Sequence, residues 1–174
     1  MLSRARGQVA LEYIATSSWA LIAMLIMIGA MLYIGLFRPS VMTENSCLTP
    51  SGFNSNYCIL NLTANYGLDL AQSTDHTINV TAVRCTDERE PAMNSTDELA
   101  VPVILLSGRH ALVTNGAQRC YTNQTGTIQN ATGSEGSVFK GRIFVKYTET
   151  DTLMQHIIRV DATMKYENVT VPTS

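Results

Sequence analysis

Residues 4–13 read Arg4-Ala5-Arg6-Gly7-Gln8-Val9-Ala10-Leu11-Glu12-Tyr13, and an uncharged apolar run continues from Ile14 to Phe37 until Arg38-Pro39-Ser40 stops it. About 20 apolar residues cross a hydrocarbon core of roughly 30 Å. As a helix rising about 1.5 Å per residue, Tyr13 to Phe37 would reach roughly 40 Å. Ala, Leu, Ile and Met dominate the run, and these residues favour helix. The run is apolar around its whole circumference, so it needs lipid or other helices about it. Arg4 and Arg6 precede it and few basic residues follow closely. The positive-inside tendency then places the N-terminus in the cytoplasm and residues 39–174 outside.

The run is longer than the 7–15 apolar residues or so of a cleaved secretory signal, and no small-residue cleavage site follows Phe37. The first cysteine, Cys47, lies too far on for a lipoprotein signal. A plain signal anchor explains the length but not Glu12, because a carboxylate at the end of a spanning segment is costly in lipid and usually has a partner.

Gly7-Gln8-Val9-Ala10-Leu11-Glu12-Tyr13, with Trp19-Ala20-Leu21 behind it, resembles the class III signal peptide of archaeal type IV-like prepilins. The resemblance covers residues 4–40. It implies cleavage between Gly7 and Gln8, with the apolar segment kept by the mature chain. Glu12 becomes the fifth mature residue and Ala10 the third. Thr16 stands at the ninth, where an apolar residue is common, a mild departure. It also implies an assembly role for Gln8 and Glu12. Cleavage creates an α-amino group on Gln8, and the Glu12 carboxylate of one subunit meets that amine on a neighbour. A charge pair in a dry bundle is expensive to desolvate, and its main use is register. Gly29, Gly35 and the alanines from Ala15 to Ala30 offer small surfaces for close helix approach. Met24, Met27 and Met31 supply adaptable filler.

Past the apolar run the composition changes. Residues 39–50 read as a connector with proline at both ends. From Ser51 onward the chain is rich in Thr, Asn, Val, Ile and Tyr. Alternation with period 2 predicts strands at Tyr57–Leu62, Thr77–Val83, Val101–Leu106, His110–Thr114, Val138–Thr148 and Ile157–Tyr166. Residues 121–137, with Gly126, Gly133 and Gly136, read as a long loop. The stretch is long enough for one β-sandwich with a real core.

The four cysteines, Cys47, Cys58, Cys85 and Cys120, all follow the apolar run. An even count in a segment placed outside the cell predicts two disulfides. Three pairings are open. The favoured one joins Cys47 to Cys58, stapling the connector to the first strand, and Cys85 to Cys120. Six N-x-[ST] sequons at Asn61, Asn79, Asn94, Asn123, Asn130 and Asn168 exceed what this composition gives by chance, and predict a glycosylated surface.

The formal net charge is -2 with no basic patch, which argues against nucleic-acid binding. Asp87-Glu88-Arg89-Glu90 and Asp97-Glu98 read as a solvated loop whose spacing matches no calcium loop. His76, His110 and His156 fall in separate elements. Asp75 with His76, and Asp151 with His156, are the nearest approach to acid–base pairs, without a nucleophile elbow, phosphate loop or metal motif beside them. The sequence therefore predicts neither an enzyme nor a cofactor or metal site.

The expected fold is an α+β lollipop. It consists of a leader (1–7), a long hydrophobic helix (8–38), a connector (39–50) and an extracellular, immunoglobulin-like β-sandwich (51–174). The expected function is that of a pilus subunit assembled through its helix. The resemblance implies a prepilin peptidase, a cytoplasmic ATPase, a membrane platform and other copies of the chain as partners. It places the precursor in the cytoplasmic membrane and the product in a cell-surface filament. A minor pilin or adhesin, and an anchored surface domain that does not polymerise, are the alternatives.

Overall fold

The computed structural model describes residues 3–33, 44–114, 116, 118–124 and 126–171, with side chains from residue 18 onward except that of Gln124. Two compact units result, Met1–Met42 and Thr43–Ser174. In the first, a helix α1 spans Ser3–Tyr33. In the second, the strands are β1 (Ser46–Leu48), β2 (Phe53–Asn61), β3 (Tyr66–Gln72), β4 (Ile78–Thr86) and β5 (Glu98–Leu105). They continue as β6 (His110–Leu112), β7 (Cys120–Gln124), β8 (Thr127–Asn130), β9 (Val138–Glu149) and β10 (Gln155–Glu167).

All ten strands belong to one sheet in the order β6-β3-β2-β10-β9-β4-β7-β8, with β1 added to β10 and β5 to β4. β9 and β10 are its spine. They run antiparallel from Gln155↔Thr148 to Lys165↔Val138. At 12 and 13 residues they are about twice the usual strand length, long enough for each end to serve a different neighbour. The outer edge of β10 is filled first by β1, at Leu48↔Asp161, and then by a short parallel pairing with β2, at Tyr166↔Leu60. β4 does the same with β5 and then β7. Bulges interrupt β4 between Val80 and Ala82 and β2 between Ser55 and Tyr57. A bulge adds a residue to one strand, bends it and raises its twist.

The result corrects the expected α+β lollipop with its immunoglobulin-like sandwich. Among the residues described with side chains 53% are strand, and the strands form a curled β half-barrel. Long shared strands and bulges explain the difference: a sandwich needs two separate sheets, whereas β10 here passes from one set of neighbours to the next without a break. The expected long hydrophobic helix needs correcting too. Side chains of α1 are described only from Ser18 to Tyr33, 16 residues. Among the described residues, no helix is long and apolar enough to cross a membrane.

The concave face holds the core. Leu60, Tyr66, Leu68 and Leu70 meet Val80, Val83, Ile143, Val145, Val160 and Met164, each at most 2% exposed. Two disulfides reinforce the thinnest ladders. Cys47–Cys58 ties β1 to β2, which otherwise share β10 as a neighbour. Cys85–Cys120 links directly opposed residues of β4 and β7, whose parallel pairing is only two residues long. Tyr166 lies across Gly133, where a Cβ would come within 2.5 Å of the ring, and its hydroxyl donates to the Ala131 carbonyl at 2.7 Å.

Candidate functional site

A set of ionisable side chains that could hold a metal ion lies where the β9–β10 hairpin meets the β3–β4 turn. Gln72, 2% exposed, organises that turn. Its amide nitrogen donates to the carbonyls of His76 (2.8 Å) and Leu105 (3.3 Å), while its oxygen accepts from the Thr74 amide and hydroxyl. The hairpin closes through Leu153 N–H to the Glu149 carbonyl and Glu149 N–H to that of Met154, both 3.0 Å, with Leu153 in the left-handed region at φ 57°. Thr150 then donates through its amide (2.9 Å) and hydroxyl (3.1 Å) to the Thr77 carbonyl. This clamp sets the residue before Thr77 against the hairpin tip.

His76 Nδ1 accordingly lies 2.5 Å from Asp151 Oδ2. Asp151 Oδ1 accepts from the Thr152 amide at 2.9 Å, and Glu149 Oε2 accepts from the Thr152 hydroxyl at 2.5 Å. On the other side Glu149 Oε1 faces His156 Nε2 at 3.4 Å. His156 opposes Tyr147 across the hairpin and stacks on it, centroids 5.3 Å apart. Tyr147 in turn packs against Phe53 at 5.5 Å. The hydrogen bond to Asp151, and then its charge, raise the His76 pKa above the ordinary imidazole value. The same hydrogen bond lowers that of Asp151. Burial raises the Tyr147 phenol, with Glu149 adding to it.

Such a set can bind a cation or a proton. A groove of about 400 Å³ lies elsewhere, lined by β1, Asp87, Arg89, Lys140, Arg142 and Asp161, with no histidine among its described lining.

No protein-family model matches this chain, and no curated protein does.

The sequence paired these groups differently. His76 takes Asp151 rather than Asp75, and His156 takes Glu149 rather than Asp151. His110 meets Asp69 at 3.2 Å. The expected solvated acidic loop is only partly so. Asp97 is 3% exposed and pairs with the equally buried Arg84 at 3.1 Å. Asp87 accepts from the Thr122 hydroxyl (2.5 Å) and the Asn123 amide (2.9 Å), docking the loop on β7.

Of the sequons, Asn94, Asn123, Asn130 and Asn168 are exposed. Asn79 sits mid-sheet on β4 between β5 and β9, half-buried. Asn61 turns its Oδ1 inward to the amides of Thr63 (3.0 Å) and Asn65 (2.8 Å). The side chains of Gln8 and Glu12, and the Gly7–Gln8 cleavage position, lie outside the residues described at side-chain level. Glu149 was missed by sequence reading. Its signal was faint: a carboxylate and His156 standing on either side of one hairpin turn.

Proposed function

We propose that the chain is the structural subunit of an archaeal type IV-like pilus. The observation that carries this reading is the N-terminal sequence, in which Arg4 and Arg6, the Gly7-Gln8 junction and Glu12 precede an apolar run. The exposed apolar side chains of α1 support it. Trp19, Met24 and Leu25, 63–75% exposed, lie on three sides of the helix and need lipid or neighbouring subunits. The β-unit suits an outer sheath, because two disulfides brace it and four sequon asparagines are exposed. Both features belong with an extracellular place.

In this reading a prepilin peptidase removes residues 1–7, and the apolar segment waits in the membrane. An ATPase-driven platform then moves it into the filament centre, where contacts with other copies replace lipid. Apolar burial is similar before and after, so the step needs an external energy source. No reaction is catalysed.

The test is mass spectrometry of the chain's N-terminus in surface filaments, beside cryo-electron microscopy of the same filaments. A mature chain beginning at Gln8 in a regular helical polymer is the expected result. An intact Met1, or absence from filaments, overturns the reading. Presence only as a trace component assigns the chain to the minor-pilin class.

A further inference from the structure

We propose that His76, Glu149 and Asp151 form a binding site for one divalent transition-metal ion of the zinc type, with Thr152 and His156 orienting the carboxylates. The inference is independent of the filament reading.

The ligand atoms of the three residues lie within 4.8 Å of one another. Ligands 2.0–2.1 Å from a tetrahedral ion stand about 3.3 Å apart. The ion therefore takes the place of the proton shared by His76 Nδ1 and Asp151 Oδ2. Those two atoms, now 2.5 Å apart, open by less than about 1 Å to admit it. Glu149 swings in from the side. The ligand is the neutral imidazole, bound through Nδ1 with its ring proton on Nε2. Three protein ligands leave a fourth position for water.

The surroundings are those of a ligand set rather than of loose surface charge. The carboxylates of metal sites are themselves held by outer hydrogen bonds. Here the Thr152 amide and hydroxyl each hold one of them. His156 Nε2 is shielded from solvent and has no hydrogen-bond partner, yet points at Glu149 Oε1 from 3.4 Å. The stack on Tyr147 fixes its ring. Hydrogen bonds from the Thr150 amide and hydroxyl to the Thr77 carbonyl brace the two segments that carry the ligands. The donor set of one imidazole and two carboxylates selects the metal class. Calcium and magnesium prefer oxygen alone, whereas imidazole suits zinc and its neighbours.

The experiment is isothermal titration of the full chain, purified in detergent and stripped of metal, with zinc chloride. One ion per chain is expected. His76→Ala and Asp151→Asn should each weaken the dissociation constant by more than about 100-fold, and His156→Ala by about 10- to 100-fold, the range for an outer-shell partner. His110→Ala, which removes a histidine elsewhere, should bind as the parent does. Asp151→Asn changes an exposed side chain at constant size, so it reports on binding even if His76→Ala disturbs the turn. Absence of saturable zinc binding by the parent overturns the proposal. So does binding by Asp151→Asn equal to the parent's, or calcium binding as tight as zinc.

Discussion

Removing Asp97 tests how the β4–β5 loop is held. Arg84 and Asp97 are 5% and 3% exposed and 3.1 Å apart. In Asp97→Ala the guanidinium keeps the Ala92 carbonyl at 3.1 Å and a looser Glu88 at 3.9 Å, while its Nε has no partner. The Asn94 amide also loses its acceptor, now at 2.8 Å. Stripping one partner from a buried ion pair costs about 3–5 kcal/mol, mostly because the other charge stays buried. For a unit of about 130 residues, unfolding entropy near 2.1 cal/mol/K per residue turns that into a fall of about 10–18 °C. The assay is thermal and urea unfolding of residues 43–174. Arg84→Met with Asp97→Leu, which removes both charges at similar volume, should recover most of the loss. A shift below about 4 °C for Asp97→Ala, about 1 kcal/mol, would show that solvent reaches the pair and refute the argument.

Four further outcomes are expected. Replacing Cys85 and Cys120 together by Ala releases a 35-residue separation, worth about 3.8 kcal/mol in the chain-entropy model; urea midpoints of parent and variant measure it, and equal midpoints contradict it. Tyr66→Phe should leave stability unchanged or raise it by about 1 kcal/mol, because the fully buried hydroxyl has no partner; a clear loss would reveal a bound water. In metal-free protein the His76–Asp151 pair should contribute most between about pH 4 and pH 6.5, since the raised imidazole contribution is lost above that window and the lowered carboxylate contribution below it; a parent stability–pH curve of the same shape as that of His76→Gln would reject this. Glu12→Gln should leave leader cleavage intact while filament counts by microscopy fall sharply, and parental counts would remove the pairing role.

Much of the sheet was legible because its strands carry one wet face and one dry face. β9 and β10 alternate cleanly, and Val160, Ala162, Met164 and Tyr166 mark the dry side. β3 was invisible for the opposite reason. Its Tyr-Gly-Leu-Asp-Leu-Ala-Gln is buried on nearly every residue, so it carries no alternation. The hairpin of β7 and β8 hid inside an expected loop, since Thr127 to Asn130 are exposed on both faces. β1 lies within the expected connector, three residues long. A sandwich was inferred because alternation reports faces and not neighbours. Nothing local in β10 says that its edge passes from β1 to β2.

The same limit governs the candidate site. Cysteine count and spacing carry information along the chain, which is why the disulfides were approachable. The pairing of His76 with Asp151 depends on which turn abuts which hairpin, across 75 residues. Proximity in sequence favoured Asp75, yet Asp75 is exposed and the Thr150–Thr77 clamp delivers Asp151 instead. Arg84 and Asp97 teach the complementary lesson. Charge clusters read as solvated because most are, and a single buried cation can still recruit one member inward. Asn94 follows two residues after the Ala92 carbonyl that Arg84 holds, and its own amide donates to Asp97. The exposed Asn94 sequon is thus presented by a buried ion pair. Loss of Asp97 should then disorder the sequon before the half-barrel itself opens.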